Sequence, residues 1–170
     1  MSIYSLVYGG EPGAAVGLLE KRSAAGETLT GDEFDIADIA YYILYSNGAK
    51  KHEDFGDLVE FIKSAARLYP DDVLRGKINN DETDFGSNVF VLCAGVGNDR
   101  IPDEARAEFF NFLVDFLGGK GSPAAQAALD KQSSYDGRTA LHEAASNQTS
   151  TRPQPFFFFL FFYVLCFICI

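Results

Sequence analysis

Apolar residues recur at helical spacing in several short segments of the chain, and breaks rich in glycine, asparagine and aspartate separate these segments. Residues 12–26, 35–46 and 57–68 each carry apolar side chains three and four residues apart. The strongest pattern lies in residues 103–117, where the apolar positions are Phe109, Phe112, Leu113 and Phe116. Because this spacing places side chains on one face of an α-helix, the chain is predicted to be mostly helical.

The same spacing predicts a buried face for each of the two middle segments. In residues 35–46 this face consists of Ile36, Ile39, Ala40 and Ile43. In residues 57–68 it consists of Leu58, Phe61, Ile62 and Ala65. Residues 87–94 are apolar throughout, and their periodicity alone allows a strand at 89–92 as well as a helix. We favour the helix because a segment downstream aligns with it.

That downstream segment, residues 133–145, contains the most specific motif in the sequence: Ser-Ser-Tyr-Asp-Gly-Arg-Thr-Ala-Leu-His-Glu-Ala-Ala. It resembles the opening of an ankyrin repeat, whose signature is Asp-x-x-Gly-x-Thr-Pro-Leu-His-x-Ala-Ala. The residues that carry the resemblance are Asp136, Gly137, Thr139, Leu141, His142, Ala144 and Ala145. Alanine at position 140 replaces the usual proline. The resemblance implies a helix that follows a tight turn and stacks against a neighbouring repeat.

Elementary chemistry explains these residue types. Gly137 permits a positive φ in the turn. Thr139 can cap the helix, because its oxygen can accept a backbone N–H that lacks a partner inside the helix. His142 lies three residues further on the same face and can bond to Thr139. Ala144 and Ala145 have small side chains, which allow a neighbouring helix to pack closely. All of these roles are structural.

Two earlier segments echo the motif. Residues 84–94 lie 51 residues upstream, and the aligned positions are Gly86, Phe90, Cys93 and Ala94. Asn88 and Val91 replace the threonine and the histidine, so the threonine–histidine bond is absent there. Residues 35–46 occupy a similar place about 49 residues further upstream, in a register that the sequence leaves open. Self-similarity at a fixed period is the pattern of a solenoid.

We therefore predict an all-α fold, a short solenoid of stacked helix-turn-helix, ankyrin-like repeats, over residues 1–147. A period near 50 residues exceeds the ~33 of ankyrin units and the ~40–47 of two-helix HEAT or armadillo units. Long inserted loops or extra turns between units are expected to account for the difference, and residues 122–128 can form one such turn. A generic stack of helical hairpins is the alternative.

The C-terminal segment differs from the rest. Residues 148–155 are polar, include two prolines and predict an irregular linker. Residues 156–170 form an uninterrupted Phe-rich apolar tail. As a helix it would span ~22 Å, short of the ~30 Å hydrocarbon core. Three interpretations stay open: translation of a T-rich non-coding stretch, a tail anchor in a membrane, or a segment that packs on the helices.

Charge and cysteine content narrow the classes of partner and compartment. The formal net charge of −10 disfavours nucleic acid as a partner, because binding to phosphate backbones depends on lysine and arginine. Cys93 is alone outside the tail, so no disulfide framework is expected. The N-terminal residues lack the pattern of a signal peptide. A cytoplasmic monomer is therefore expected, or a membrane-associated one if residues 156–170 anchor the chain.

No catalytic motif appears, and neither a metal site nor a cofactor is expected. The sequence predicts a non-enzymatic scaffold for protein–protein interaction; a membrane-tethered ankyrin-type adaptor is the alternative. If the resemblance holds, the loops at residues 77–84 and 130–136 contact another protein, whose identity the sequence does not give. The candidate contact residues are Asn79, Asn80, Asp81, Glu82, Asp130, Lys131, Gln132 and Tyr135.

Overall fold

The computed structural model describes residues 3–9, 11–27, 34–45, 52–80, 82–83, 86–95 and 103–146. This part of the chain is all-helical, with no strand, as predicted. The predicted linker at 148–155 and the apolar tail at 156–170 lie outside the described residues. None of the described helices is long and apolar enough to cross a membrane.

Nine helices make up the described part, and they follow one another in a simple order. They are α1 (Ile3–Tyr8), α2 (Pro12–Ala24), α3 (Ile36–Tyr45), α4 (His52–Leu68), α5 (Asp71–Asn80), α6 (Val89–Gly95), α7 (Asp103–Phe116), α8 (Pro123–Asp130) and α9 (Ala140–Ser146). Pro12 and Pro123 each stand in the first turn of a helix, where their missing N–H has no intrahelical acceptor to lose.

Helices α3, α6 and α9 lie side by side, because α6 packs against α3 on one side and against α9 on the other. Helix α6 also contacts α7 and α8. Every residue from Val89 to Ala94 is therefore buried, which explains why the segment is apolar on all sides and shows no clear period. The helix favoured for residues 87–94 is confirmed, and the strand at 89–92 does not form.

The same type of N-cap begins each of these three helices. Asp35 Oδ1 accepts a hydrogen bond from the backbone N–H of Asp38 at 2.9 Å, and Asn88 Oδ1 accepts one from Val91 at 3.0 Å. Thr139 Oγ1 lies 3.4 Å from the backbone nitrogen of His142, which donates to it. In each case the acceptor is bonded three residues into the helix. The caps are 53 and 51 residues apart, which fixes the register of the first segment.

Two further helices, rather than one, follow α3 and again follow α6. Helix α5 packs against α8, and α2 packs against α4. Lys63 of α4 reaches α7, where its Nζ lies 3.6 Å from Glu108 Oε1 and 5.8 Å from the ring centre of Phe112. The prediction of paired helices therefore missed a third element. Helix α5 was not foreseen, and the extra turn at 122–128 is the full helix α8.

Helix α5 also shortens the loop predicted at residues 77–84. Asn79 and Asn80 close this helix and do not belong to a loop. Acidic residues in its first turn, Asp71 and Asp72, favour the helix because they lie near the positive end of its dipole. The sequence rule that a helix ends near Pro70 is correct, but a new helix begins immediately after that proline.

The predicted buried faces agree with the structure in the first half of the chain. Leu58, Phe61, Ile62 and Ala65 of α4 are all fully buried, as are Ile36, Ile39 and Ala40 of α3. In α7 the buried face is rotated from the predicted stripe and consists of Arg106, Phe109, Phe110, Leu113, Val114 and Leu117. Phe112 and Phe116 are only half-buried, because their rings receive the cations of Lys63 and Arg75.

Candidate protein-binding face

A groove opens along the outer side of α3 and α6, beside the turn that precedes α9. Its volume is about 190 Å³. The residues that line it are Tyr41, Ser87, Val91, Leu92, Gly95, Asp136 and Glu143. A pocket for a cofactor or a drug-sized ligand typically measures roughly 300–1,000 Å³. The groove therefore fits a protruding side chain better than a cofactor. This feature is called the groove below.

The floor of the groove is apolar and its wall is acidic. Val91 and Leu92 of α6 form the floor and are almost completely buried. Asp136, in the turn before α9, and Glu143, within α9, provide two carboxylates. This combination of apolar floor and polar wall is typical of sites that bind one side chain of a protein partner.

Arg138 forms ion pairs with both carboxylates. Its Nε lies 3.3 Å from Asp136 Oδ2, and its Nη1 lies 3.1 Å from Glu143 Oε1. The hydrogen bond to Glu143 and the charges of both acids raise the pKa of Arg138, so this residue stays protonated at any physiological pH. Its side chain is 49% exposed. Exposed ion pairs contribute little to stability, so these can be exchanged for others.

Two tyrosines stand out on this side of the molecule. Tyr41 lines the groove and is 41% exposed, and Tyr135, in the turn before α9, is 79% exposed. They are the exposed large hydrophobic side chains of the described residues. Exposed tyrosines are enriched among the residues that dominate binding energy at protein interfaces. Of these two, only Tyr135 was among the candidates predicted from the sequence.

The remaining predicted contact residues meet one another at a junction between α5 and the segment after α8. Lys131 Nζ donates to the backbone oxygens of Asn79 and Asn80 at 2.9 and 3.3 Å. It also lies 2.6 Å from Glu82 Oε1. Lys131 therefore satisfies carbonyl groups at the end of α5, where the helix provides no donor. Lys131, Glu82, Asn79 and Asn80 thus join two parts of the fold.

Asp130 and Gln132 are exposed, whereas Asp81 lies outside the described residues. Asp130 Oδ2 accepts a hydrogen bond from Gln126 Nε2 at 2.6 Å, within the same helix. The structure therefore brings together four of the predicted contact residues through Lys131 and places Tyr135 next to the groove. Asp130 and Gln132 are not part of either group.

The turns that precede α6 and α9 lie directly against each other. Gly86 has a φ of +67°, and a Cβ at this position would lie 2.6 Å from the backbone nitrogen of Ser134 and closer still to its side chain. Only glycine allows this approach. Gly137 has a φ of +71°, in agreement with the positive φ predicted for it. Its surroundings are open, so its conformation alone requires glycine.

The residues of the ankyrin-like motif take up the local geometry that the motif predicts. His142 Nδ1 lies 2.9 Å from Thr139 Oγ1 and accepts a hydrogen bond from the backbone N–H of Thr139 at 3.2 Å. Both contacts are exposed. Ala144 is buried and Leu141 is half-buried against the core, while Ala145 is exposed. These residues shape the start of α9.

The thiol of Cys93 is not available for chemistry. It is fully buried in α6, and burial raises its pKa from 9.0 to about 12, although the positive charge of Arg106 opposes the change. The thiol is therefore protonated at neutral pH and is a poor nucleophile. Among the described residues, no group of three or more histidine, cysteine, aspartate or glutamate side chains is placed to hold a metal ion.

Sequence reasoning missed Arg106 and the second role of Asn88. Arg106 is 1% exposed within α7, three residues before the buried Phe109. That spacing places it on the buried face, which is a signal the sequence contained. Asn88 Nδ2 donates to the backbone oxygen of Ala128 at 2.8 Å, which ties α6 to α8. Only the fold brings these two residues together.

Comparison with protein-family models, with curated proteins and with solved structures gave no match.

Proposed function

We propose that the chain is a non-enzymatic protein-binding scaffold, built as a short solenoid of ankyrin-like units, and that it binds its partner through the groove. The observation that carries the proposal is the arrangement of α3, α6 and α9. These helices are neighbours in space, begin with the same type of cap and recur at intervals of 53 and 51 residues. Stacked repeats present a continuous surface, and recognition is their common use.

A unit of three helices accounts for a period near 50 residues. In this interpretation one unit comprises α3, α4 and α5, the next comprises α6, α7 and α8, and α9 begins another. The contact between α5 and α8 supports it, because third helices of neighbouring units would have to meet. Ala40, Cys93 and Ala144 hold the same position in the three units and are all buried, so small residues recur where neighbouring first helices pack.

The ankyrin-like character of the units is supported chiefly by the third one. The Thr139–His142 bond and the positive φ of Gly137 are the local features that the motif requires. The second unit keeps the turn glycine at Gly86 but caps its helix with Asn88. We therefore regard the units as ankyrin-like at the turn and the first helix, with a third helix in addition.

Binding, rather than catalysis, fits the chemistry of the groove. Its two carboxylates are paired with Arg138, and the neighbouring thiol of Cys93 is buried and protonated. A catalytic pair of acids usually has environments that push the two pKa values apart. Here one guanidinium bonds to both acids. The exposed tyrosines beside the groove are the kind of residue that anchors a protein interface.

Site-specific photocrosslinking tests this function. A photoreactive phenylalanine analogue is placed at position 41 or 135 of the full chain, and at exposed positions 20 and 72 of α2 and α5 as matched controls. We expect one partner protein to be crosslinked in cells from positions 41 and 135 and not from the controls. Crosslinks that are absent at position 41, or equally strong at all four positions, would contradict the proposal.

The membrane-tethered adaptor remains the alternative, since residues 156–170 form an uninterrupted apolar run. It keeps the same binding face and adds a location. Fractionation of the full chain and of a chain ending at residue 155 separates the two proposals. Tethering requires that only the full chain sediments with membranes and resists extraction by high salt, whereas equal distribution of the two chains rejects it.

A further inference from the structure

We infer that the groove binds an arginine side chain of the partner, flanked by apolar residues, and that Arg138 occupies the arginine's place in the free protein. The inference rests on the proposed function and names the chemistry of the partner. It follows from three properties of the groove: its charge, its size and floor, and the way in which Arg138 is held.

Charge is the first property. Two carboxylates, Asp136 and Glu143, face the same groove, in a protein of net charge −10. Asp136 is held in place by the backbone N–H of Arg138, which donates to its Oδ1 at 3.1 Å, so Oδ2 is already oriented for a second donor. Glu143 is only 19% exposed, which strengthens its interaction with a cation relative to open solvent. The complementary ligand carries a positive charge and several donors.

Size and floor are the second property. A volume of about 190 Å³ corresponds to roughly six water molecules, which is room for one long side chain. Val91 and Leu92 would contact the methylene groups of that side chain, since arginine commonly lays its apolar stem along such a surface. Tyr41 stands at the same groove and offers a ring on which a guanidinium can stack.

The state of Arg138 is the third property. This residue bonds to both acids with two different nitrogens, as an incoming arginine would. Its pairs are exposed, so an arginine that also gains contact with the apolar floor can replace it. Arg138 therefore keeps the two carboxylates neutralised until the partner displaces it. It acts as a competitor for the site, which distinguishes it from a residue that merely supports the fold.

Titration of the full ¹⁵N-labelled chain with the peptide acetyl-Leu-Arg-Leu-amide tests this inference by NMR. We expect saturable shifts of the amides of Val91, Leu92 and Gly95. The same peptide with citrulline, which keeps the shape of arginine but is neutral, should bind about fivefold more weakly. Glu143→Gln should weaken the arginine peptide by about fivefold, whereas Glu104→Gln, at an exposed position of α7, should leave its affinity unchanged.

The decisive variant is Arg138→Gln, because removal of a competitor should tighten binding of the arginine peptide by about two- to fivefold. Arg67→Gln, which removes an exposed arginine from the surface pair with Glu60, serves as the matched control and should not change the affinity. Weaker or unchanged binding to Arg138→Gln, equal binding of the citrulline peptide, or no shift at the groove would each overturn the inference.

The outcomes also separate this inference from the proposed function. A partner that crosslinks at position 41 but binds without regard to arginine would leave the scaffold function intact and refute the arginine site. An arginine-dependent peptide site without any crosslinked partner would do the reverse.

Discussion

Replacement of Asn88 by alanine gives the sharpest test of how the described helices are joined. The side chain is 1% exposed and forms two hydrogen bonds with different consequences. Its Oδ1 caps α6 through the N–H of Val91, and its Nδ2 donates to the carbonyl of Ala128 in α8. The first bond is local to one helix, and the second connects two helices.

The two losses can be estimated separately. Removal of an N-cap costs about 1 kcal/mol. The carbonyl of Ala128 would lose the donor that Asn88 supplies, at a cost of about 1–3 kcal/mol for a buried acceptor. We therefore expect Asn88→Ala to lower the free energy of unfolding by roughly 2–4 kcal/mol. In a protein of this size, each kcal/mol corresponds to roughly 2–4 °C in Tm.

Urea unfolding followed by circular dichroism measures this change. Asn88→Ser keeps a capping oxygen but loses the donor to Ala128, so its stability should fall between those of the wild type and Asn88→Ala. Thr139→Ala removes an exposed cap at the equivalent place and should cost only about 1 kcal/mol. If Asn88→Ala costs no more than Thr139→Ala, the bond between α6 and α8 does not contribute as described.

Three further substitutions test separate parts of the structure. Gly86→Ala should destabilise the fold by more than the roughly 1–2 kcal/mol expected for Gly137→Ala, because both glycines have positive φ but only a Cβ at Gly86 meets the facing turn; equal losses in urea unfolding would contradict the close packing of the two turns. Lys131→Met should cost about 1 kcal/mol, measured in the same way, and Glu82→Gln should cost less, since Lys131 also bonds to the end of α5; a Glu82 variant that is the weaker of the two would refute this assignment. Burial raises the pKa of Cys93 from 9.0 to about 12 in the folded protein, so the folded state retains this proton at a pH where the unfolded state has lost it. The contribution of the protonated thiol is therefore complete below pH 9 and is lost as the pH rises towards 12; the stability difference between wild type and Cys93→Ala should shrink over that interval, and a constant difference would show that the thiol does not titrate as stated.

The sequence contained most of the helical architecture, and the exceptions have physical causes. Apolar spacing located α3, α4 and α7, and alignment with residues 133–145 decided in favour of a helix at α6. Helix α5 was missed because only two of its residues, Leu74 and Ile78, are buried, which gives a weak stripe. The buried face of α7 was misplaced because two adjacent apolar lines run along it, and cations of α4 and α5 cover the outer one.

The candidate site was harder to predict. The turn glycine and the cap at Thr139 followed from the motif, because they depend on residues close in sequence. The groove did not, because Tyr41 is brought next to Val91 and Asp136 only when α3, α6 and α9 pack together. Lys131 was predicted to face a partner, yet its charge is used inside the molecule. Charge alone cannot distinguish these two uses in a sequence.

Calorimetric titration of the partner identified by crosslinking gives the most direct test of the central claim, which is recognition of a protein through the groove. Tyr41→Ala should raise the Kd for that partner by about fivefold or more. Glu20→Ala, at an exposed position of α2, should leave it unchanged. The same Kd for wild type and for Tyr41→Ala would contradict binding at the groove.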